Sequence, residues 1–384
     1  MSMAKRGTKT VVPRLRFPKF RNAAAWEKKP LSTLLDYERP DKYIVSDTTY
    51  QDSGTPVLTA NKSFVLGYTN ESNGVYSATP VVIFDDFTTD KKYVDFSFKV
   101  KSSAIKILKA KGDDSLRLIF ELMRGIKFDP KEHKRYYISE YQNLEIAIPR
   151  HAEQQKIADC LMSLDEVVAA QGCKLEALKA HKRSLIQQLF PREGKTRPSL
   201  RFPEFRNAAE WKSATVDTLS STITPPRKIP TSGYGAEGLL PIIDQSPDPI
   251  CGWTNDLDAK VDARYPLIIF GDHTCVLKLV EHDFAQGADG IKIISALPHI
   301  DIRFLYFALQ ADPVTSASYR RHFSLLQEKH IAFPEGLKEQ QHIADCFSSL
   351  DAKITAESRQ LAALKTHKQG LMQQLFPTPE AAGA

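Results

Sequence analysis

Two groups of acidic and basic side chains in this sequence have spacings that could support catalysis. Asp272 and His273 are adjacent, as a catalytic base and the acid that orients it can be, but no nucleophile motif accompanies them. A proline followed by Asp248, and then Asp258 and Lys260, match the spacing of a PD-(D/E)xK nuclease motif. In such a nuclease the carboxylates must converge on a metal ion. The segment between them is rich in turn-forming residues, and so short a pattern arises by chance. The sequence therefore favours a structural or ligand-facing role for His273 over catalysis.

Basic side chains form a third group. The chain has 52 Lys and Arg against 46 Asp and Glu, a formal net charge of +6. Residues 91–135 hold 13 of the basic residues and 6 of the acidic ones, so this segment alone carries +7 (13 − 6). Clustered positive charge is typical of proteins that bind a polyanion, although a solvated basic face would look the same in sequence. Between residues 212 and 336 acidic residues outnumber basic ones, so a polyanion site there would need a local concentration of positive charge.

Motifs for nucleotides and metals are missing from the sequence. There is no GxGxxG loop, and Gly194 and Lys195 lack the upstream glycine of a phosphate-binding P-loop. The five cysteines include no CxxC pair, which predicts free thiols in a reducing cytoplasm rather than a zinc site or disulfides. No apolar run approaches the roughly 18 residues that span a bilayer, and the basic start lacks the apolar core of a signal peptide. We therefore expect a cytoplasmic protein that contacts no membrane and binds no cofactor or metal itself.

The chain contains two copies of a long segment. Residues 153–191 recur as 339–377, and 23 of the 39 aligned positions are identical at a constant offset of 186. In both copies apolar residues recur at alternating steps of four and three, which is the heptad pattern of a coiled-coil seam. The pattern predicts two long helices, each ended by Phe-Pro, which pair with each other in antiparallel fashion across the long insert between them.

Two polar positions interrupt each apolar seam. They are Gln171 and Lys182 in the first copy and Glu357 and Lys368 in the second. Single polar residues at seam positions can fix the register of a coiled coil. They could equally face solvent where the helices splay apart, and the sequence leaves both interpretations open.

A second repeated string precedes two diverged inserts. Residues 15–26 return as 200–211 with ten of twelve positions kept. The inserts, 27–149 and 212–336, mix short strand-like runs with helical stretches, which predicts two α+β domains. A faint common skeleton remains, in which residues 82–88 align with 268–274, 104–107 with 290–293 and 135–139 with 320–324. A constant frame with two variable inserts would suit a molecule that recognises two different targets a fixed distance apart.

In these features the sequence resembles the specificity subunits of type I restriction–modification systems over essentially its whole length. The resemblance rests on the Glu-Gln-Gln-x-Ile-Ala start and Gln-Gln-Leu-Phe-Pro end of both repeats, and on residues 270–274 and 283–290 of the second insert. The first insert departs from the pattern, because it has Asp85-Asp86-Phe87-Thr88 and lacks the Gly-Ala-Asp-Gly run.

The resemblance implies a mixed α/β fold in which two α+β target-recognition domains are joined by two long helices that form an antiparallel coiled coil, with an internal pseudo-twofold repeat. The expected divisions are a flexible tail at 1–13, a first recognition domain at 14–149, a first long helix at 150–191, a linker and second recognition domain at 192–336, a second long helix at 337–378 and a flexible tail at 379–384.

The resemblance also implies a non-catalytic, DNA-reading subunit. Each insert would read one half of a split double-stranded DNA target, while the helices would set the spacing and dock two modification (methyltransferase) subunits. Restriction subunits, which are ATP-dependent translocases and nucleases, would complete the complex, and S-adenosylmethionine, ATP and magnesium would bind to partner subunits. The sequence has no Asn/Asp-Pro-Pro-aromatic string of the kind that adenine methyltransferases use. A stand-alone DNA-binding regulator and a protein-interaction scaffold remain alternatives.

Candidate DNA contacts follow from side-chain type, because Lys and Arg suit phosphates while side chains with paired donors and acceptors read bases. In the first insert the candidates are Thr88, Lys91, Lys92, Lys99, Lys101, Lys106, Lys134, Arg135 and Tyr136. In the second insert they are His273, Thr274, Lys278, Lys292, Arg320, Arg321 and His322.

Overall fold

The computed structural model describes residues 10–60, 63–192, 194–288, 290–315 and 322–377. The chain divides into a first unit, Met1–Ala170 with Leu361–Ala384, and a second unit, Gln171–Gln360. Each unit thus contains one insert together with part of both long helices. The helices were expected as separate divisions at 150–191 and 337–378, but their apolar residues belong to the same hydrophobic cores as the inserts.

The first unit is built from short strands, two helices and parts of the long helices. Its elements are β1 (Thr10–Val11), β2 (Trp26–Pro30), α1 (Leu31–Leu34), β3 (Leu35–Glu38), β4 (Thr55–Leu58), β5 (Val65–Thr69), β6 (Val81–Asp85), β7 (Lys91–Val94), β8 (Lys99–Val100), β9 (Ile105–Ala110), α2 (Leu116–Arg124), β10 (Glu145–Ile148) and the beginning of α3 (His151–Leu189). The strands form three sheets in the orders β1-β2-β10, β3-β9-β6-β7 and β5-β4-β8. Strand β1 lies within the expected flexible tail at 1–13, whose first nine residues are outside the described part of the chain, as is the tail at 379–384.

The second unit repeats this plan. Its elements are β11 (Lys212–Thr215), α4 (Val216–Leu219), β12 (Ser220–Ile223), β13 (Leu240–Ile243), β14 (Gly252–Thr254), β15 (Leu267–Gly271), β16 (Leu277–Val280), β17 (Ala285–Gln286), β18 (Ile291–Ala296), α5 (Ile302–Ala311), α6 (Phe323–Glu328), β19 (His330–Phe333) and the beginning of α7 (Leu337–Leu375). The sheet orders are β11-β19, β12-β18-β15-β16 and β14-β13-β17. Four of these elements (β15, β16, β18 and α7) begin and end 186 residues after β6, β7, β9 and α3. The predicted α+β inserts and the internal repeat are confirmed.

One inner strand of each four-stranded sheet, β6 in the first unit and β15 in the second, is buried on both faces. Alternate residues of a strand point to opposite sides of its sheet. Accordingly Val82 and Phe84 of β6 pack with α2 and the long helices, while Val81 and Ile83 pack on the other side with the three-stranded sheet. In β15 the same alternation separates Ile268 and Phe270 from Leu267 and Ile269. The continuous apolar run of each strand therefore supports two cores at once.

The polar residues of the helix seams pair across the seams. In the second unit the Gln171 side-chain amide donates to the Glu357 carboxylate at 2.6 Å, and the Lys182 ammonium donates to Asp351 at 2.8 Å. Since 171 meets 357 while 182 meets 351, the two helices run antiparallel, as predicted. In the first unit Lys368 pairs with Asp165. The interpretation that these positions face solvent is wrong, because each side chain has a partner on the opposite helix.

An arginine and a tryptophan hold each insert to the start of a long helix. The Arg16 guanidinium donates to both Glu153 carboxylate oxygens, at 2.7 and 2.6 Å, and Trp26 Nε1 donates to the same carboxylate at 3.4 Å. In the second unit Arg201 donates to Glu339 at 2.7 Å twice, and Trp211 donates at 3.3 Å. These contacts are the physical reason why the string at 15–26 and the glutamate that starts each repeat are both duplicated.

The glutamine that follows each of these glutamates holds the start of a longer helix of the insert, α2 or α5. Gln154 donates to the Pro149 carbonyl at 2.9 Å and accepts from the Ser115 amide at 2.8 Å. Gln340 makes the equivalent bonds to Pro334 and Asp301, both at 2.8 Å. Ser115 and Asp301 are the N-caps of α2 and α5, where a side-chain oxygen satisfies otherwise unpaired helix amides. The Glu-Gln-Gln motif is thus a joint between helix and insert.

Candidate nucleic-acid interface

The turn between β6 and β7 forms a tightly bonded hairpin tip in the first unit. The Asp85 carboxylate accepts from the amides of Phe87 at 2.9 Å and Thr88 at 3.0 Å. Thr89 closes the turn in the left-handed region with a φ of 60°. Thr88 is exposed at the end of the turn, and its hydroxyl accepts from the Asp90 amide at 3.3 Å.

The second unit builds the equivalent tip by different means. Cys275, with a φ of 56°, occupies the place of Thr89 and donates its amide to the Gly271 carbonyl at 2.8 Å. The Thr274 hydroxyl donates to the Gln245 carbonyl at 2.8 Å. A Cβ on Gly271 would lie 2.2 Å from that hydroxyl, so glycine is required where the first insert has Asp85. His273 is half-buried beside the exposed Thr274.

An aspartate clamps each tip to a distant segment. In the first unit the Asp86 carbonyl accepts from the Tyr136 amide and its carboxylate accepts from the Tyr137 amide, both at 2.8 Å. In the second unit the Asp272 carbonyl and carboxylate accept from the amides of His322 and Phe323 in the same order, at 2.8 and 2.9 Å. Asp272 is therefore a structural residue.

This equivalence corrects the alignment of the two segments. Tyr136 corresponds to His322 at the constant offset of 186, whereas the sequence alignment paired Arg135 with Arg320. Arg135 therefore corresponds to Arg321. Arg320, Arg321 and the glycine-rich run's Asp289 lie outside the described residues.

Four of the predicted DNA contacts are buried and have partners inside the protein. Lys99 is 3% exposed and pairs with Glu71 at 2.8 Å, and its hydrogen bond lowers the pKa of Glu71 to about 2. Lys106 is also 3% exposed and pairs with Asp86 at 3.2 Å. Tyr136 donates its hydroxyl to the Glu132 carbonyl at 2.8 Å, and the buried His322 ring contacts the Asp272 carbonyl at 3.1 Å. These contacts assign the four side chains to stabilising the inserts, because none is presented to solvent.

Two further candidate lysines are partly desolvated. Burial lowers the pKa of Lys91 to about 8, and its ammonium donates to the Tyr141 hydroxyl at 3.0 Å. Burial also lowers the pKa of Lys278, whose ammonium donates to the carbonyls of Asp244 at 2.8 Å and Asp248 at 2.5 Å. Both lysines brace backbone close to the hairpin tips.

The remaining candidates reach the surface. Lys101 is exposed and Lys92 half-exposed, and neither has a side-chain ion pair within the described part of the chain. Lys134 is exposed but paired with Glu140 at 2.9 Å and Glu132 at 3.3 Å. Arg135 is 49% exposed. In the second unit the half-buried Lys292 lies 5.1 Å from the centre of the Phe323 ring.

The sequence did not single out two aromatic residues at the first tip. The rings of Phe87 and His133 are stacked, with centroids 4.7 Å apart and planes 15° apart. The Arg135 guanidinium lies 5.6 Å from the centre of the Phe87 ring. The alignment of the two inserts could have indicated Phe87, because it places Phe87 opposite His273. The residue at this tip position therefore differs between the inserts.

A polar group beside the second tip was also missed. The Ala288 amide donates to the Tyr234 hydroxyl at 2.9 Å, and a Cβ on Gly287 would lie 2.2 Å from that hydroxyl. Gly290, with a φ of 107°, makes room for the Gln245 side chain, whose Oε1 is buried without a hydrogen-bond donor in the described structure. The glycines of the Gly-Ala-Asp-Gly run are therefore set by close packing against Tyr234 and Gln245.

The described residues form no cluster of metal-ligating side chains. They contain no group of three or more His, Cys, Asp or Glu side chains that could hold a metal ion. At the PD-(D/E)xK-like spacing, Lys260 pairs with Asp283 at 3.2 Å. Among the same residues no helix has the length and apolar character needed to cross a membrane.

Comparison with known proteins gives one curated relative and several solved structures. The chain is 46% identical over 127 residues to the EcoR124I/EcoR124II type I restriction enzyme specificity subunit of Escherichia coli, a match that covers 31% of each chain. The crystal structure of the type I restriction–modification S subunit from M. genitalium covers 96% of this chain and 99% of its own length, with a TM-score of 0.70 at 14% identity. The chain has the fold of a type I specificity subunit. The resemblance seen in the repeats and motifs is thus confirmed.

The sequence match spans about a third of the length of the curated specificity subunit. The HsdS subunit from Thermoanaerobacter tengcongensis covers 91% of this chain at 16% identity, but its TM-score is 0.38. No protein-family model matches the chain. The comparisons therefore establish the fold of the specificity subunits.

Proposed function

We propose that this chain is the DNA sequence-recognition subunit of a type I restriction–modification complex, in which each insert reads one half of a bipartite double-stranded target. The observation that carries the proposal is the contrast between a duplicated frame and unlike hairpin tips. The Arg16–Glu153 joint recurs as Arg201–Glu339. The tips instead carry Phe87 and Thr88 in one unit and His273 and Thr274 in the other. Two half-sites of different sequence need such a pair of readers.

The surface residues of the tips are the proposed DNA contacts. In the first insert Lys92, Lys101 and the glutamate-paired Lys134 supply surface positive charge suited to phosphates, and Thr88 supplies a hydroxyl at the end of the turn. In the second insert we assign His273, Thr274 and Lys292, together with Arg320 and Arg321. The excess of acidic residues in this insert means that part of its affinity must come from the assembled complex.

The partners follow from the same proposal. The chain lacks cofactor motifs, so the chemistry belongs to two modification subunits that bind S-adenosylmethionine, and to restriction subunits that use ATP and magnesium. The long helices dock the modification subunits. A subunit that reads cellular DNA works in the cytoplasm of a bacterial cell.

The long helices are also proposed to set the spacing between the half-sites. Each contains 39 residues, or roughly 58 Å at ~1.5 Å per residue, and each begins in one unit and ends in the other. Seven residues inserted in each helix preserve the heptad phase and add about 10 Å. The preferred gap in the DNA target should then grow by about three base pairs, since duplex DNA rises about 3.4 Å per base pair. Sequencing of methylated sites measures the gap, and an unchanged gap contradicts this role.

A methyl-transfer assay tests the proposed function. The full-length chain is purified alone and with the methyltransferase that co-purifies with it, and transfer from labelled S-adenosylmethionine to DNA is measured. We expect no transfer by the chain alone, and transfer to a two-part motif by the complex. Methylation by the chain alone would contradict the proposal. Tight sequence-specific binding without any partner would favour a stand-alone regulator, and partner binding without any effect on DNA would favour a scaffold.

A further inference from the structure

The first hairpin tip holds Arg135 between a serine and an aromatic ring. Arg135 is half exposed, and its guanidinium donates to the Ser103 carbonyl at 3.3 Å and the Ser103 hydroxyl at 3.4 Å. The Phe87 ring lies below it, with its centre 5.6 Å from the guanidinium carbon. The two hydrogen bonds to Ser103 and the ring contact orient the guanidinium. They use two of its five N–H donors, so the others can bond to a ligand.

The backbone that carries Arg135 is fixed by the adjacent clamp. The amides of Tyr136 and Tyr137, the next two residues, donate to the Asp86 carbonyl and carboxylate at 2.8 Å. The Asp86 side chain is 1% exposed and is paired with the buried Lys106 at 3.2 Å. A single rigid group therefore contains both the hairpin tip and the residue that presents the guanidinium.

The charge around Arg135 also differs from that around its neighbours. Lys134 has carboxylates at 2.9 and 3.3 Å, and Lys99 has one at 2.8 Å. The carboxylate oxygen of Asp86 nearest to Arg135 is 4.0 Å away, and that carboxylate already belongs to Lys106. Arg135 is thus an oriented guanidinium whose charge is only weakly compensated inside the protein.

An oriented guanidinium matches one base edge in particular. Guanine presents two acceptors, O6 and N7, in the major groove, and an arginine fork can bond to both at once. A phosphate can accept from the same fork, but a phosphate contact carries no sequence information, so base selection and salt dependence distinguish the two ligands. Building on the function proposed above, we propose that Arg135 reads a guanine in the half-site of the first insert, and that Phe87, stacked on His133, positions its guanidinium.

Selection of binding sites from randomised DNA by the complex of the full-length chain with its methyltransferase tests this assignment. Arg135→Ala should abolish the preference for guanine at one position of one half-site, a loss of about 5- to 150-fold in discrimination. Preferences in the other half-site, and the dependence of affinity on salt, should stay unchanged. The matched control is Lys101→Ala, which should leave all base preferences intact and lower the salt slope by about 0.9.

The outcomes separate this assignment from the function on which it rests. Uniform weakening on all sequences, with a salt slope lowered by about 0.9, would show that Arg135 contacts a phosphate and would overturn the assignment. An unchanged guanine preference would also overturn it, while leaving DNA recognition by the complex intact. If the unaltered complex selects no bipartite motif, the proposed function itself fails.

Discussion

At the base of its hairpin tip the first unit buries an ion pair in addition to the backbone-amide hydrogen bonds that both units bury. Asp86 and Asp272 each accept from two backbone amides, and Asp86 also pairs with the buried Lys106. The strands around them nevertheless keep the same order and the same offset of 186 residues. The difference shows that the position of the tip is fixed by the sheet, and that the chemistry beneath it was free to change.

The joint between each long helix and its insert, in contrast, is built in the same way in both units. Arg16 and Arg201 have distances to their glutamates that agree within 0.1 Å, and all four side chains are nearly buried. A buried charge that loses its partner is strongly destabilising, so neither member of such a pair can change alone. Substitutions in the frame are therefore expected to change stability by the same amount in the two units, whereas substitutions at the tips should change it by different amounts.

Removing the carboxylate of the joint should have the largest effect on stability. Glu153→Gln and Glu339→Gln each leave a buried guanidinium without its counter-charge, and each should cost about 3–4 kcal/mol. Urea unfolding measures both. The comparison predicts equal losses, and a difference above about 1 kcal/mol would show that the two joints are not equivalent. Combining Glu153→Gln with Arg16→Met should recover part of the loss, because no buried charge then remains.

Substitution of the clamp aspartates should destabilise the two units by different amounts. Asp86→Asn leaves the buried Lys106 unpaired and should cost about 2–3 kcal/mol. Asp272→Asn keeps an oxygen that can accept from the His322 and Phe323 amides, so about 1 kcal/mol should be lost. Urea unfolding of both variants gives the contrast, and Lys106→Met in the Asp86→Asn background is the rescue. Equal costs at the two positions would contradict the ion-pair account.

The pH dependence of stability should also differ between the units, because Lys91 occupies the position of Leu277. The folded state lowers the pKa of Lys91 from 10.5 to about 8, so between these values the unfolded chain binds more protons and stability rises with pH. Lys91→Leu removes this contribution. The stability of the variant relative to the native chain should fall by about 2 kcal/mol between pH 7 and pH 10. Urea unfolding across this range tests the sign, and a constant difference would contradict a buried, charged lysine.

The last comparison of the two units concerns a glycine of the second unit. Gly290 has a φ of 107° and faces the Gln245 side chain, whereas the equivalent residue of the first unit is Ala104. Gly290→Ala should cost about 1–2 kcal/mol through backbone strain, and Ala104→Gly should cost less than 1 kcal/mol. Thermal unfolding compares the two. A neutral Gly290→Ala variant would show that the loop adapts without strain.

The fold could be predicted because its main signals are local and repeated. The heptads of both long helices, and the strings at 15–26 and 200–211, are visible in the chain itself. The role of the strings was not visible, since Arg16 and Glu153 lie 137 residues apart. The polar seam positions were ambiguous for the same reason, because Gln171 finds Glu357 only when the helices fold together.

The site was predictable by residue type but not by exposure. Lys99 and Lys106 have the same side chain as Lys92 and Lys101, yet the first two are buried by Glu71 and Asp86, partners 28 and 20 positions away. Nothing in the sequence around a lysine reports such a partner. The stacking of His133 on Phe87 likewise joins two loops that are separate in sequence.

The pairing of β2 with β10 has a consequence for how such genes change. Glu27 faces Ile148 across this ladder, and Lys212 faces Phe333 across the ladder of β11 with β19. Each insert therefore leaves and re-enters its frame at adjacent points, so the distance that its ends must span does not depend on what lies between them. Recombination between two genes that share the frame can then exchange an entire insert while its two ends stay adjacent. On the proposed function, one such exchange would change the half-site preference, whereas accumulated point changes at the tip would have to preserve the buried clamp at every step.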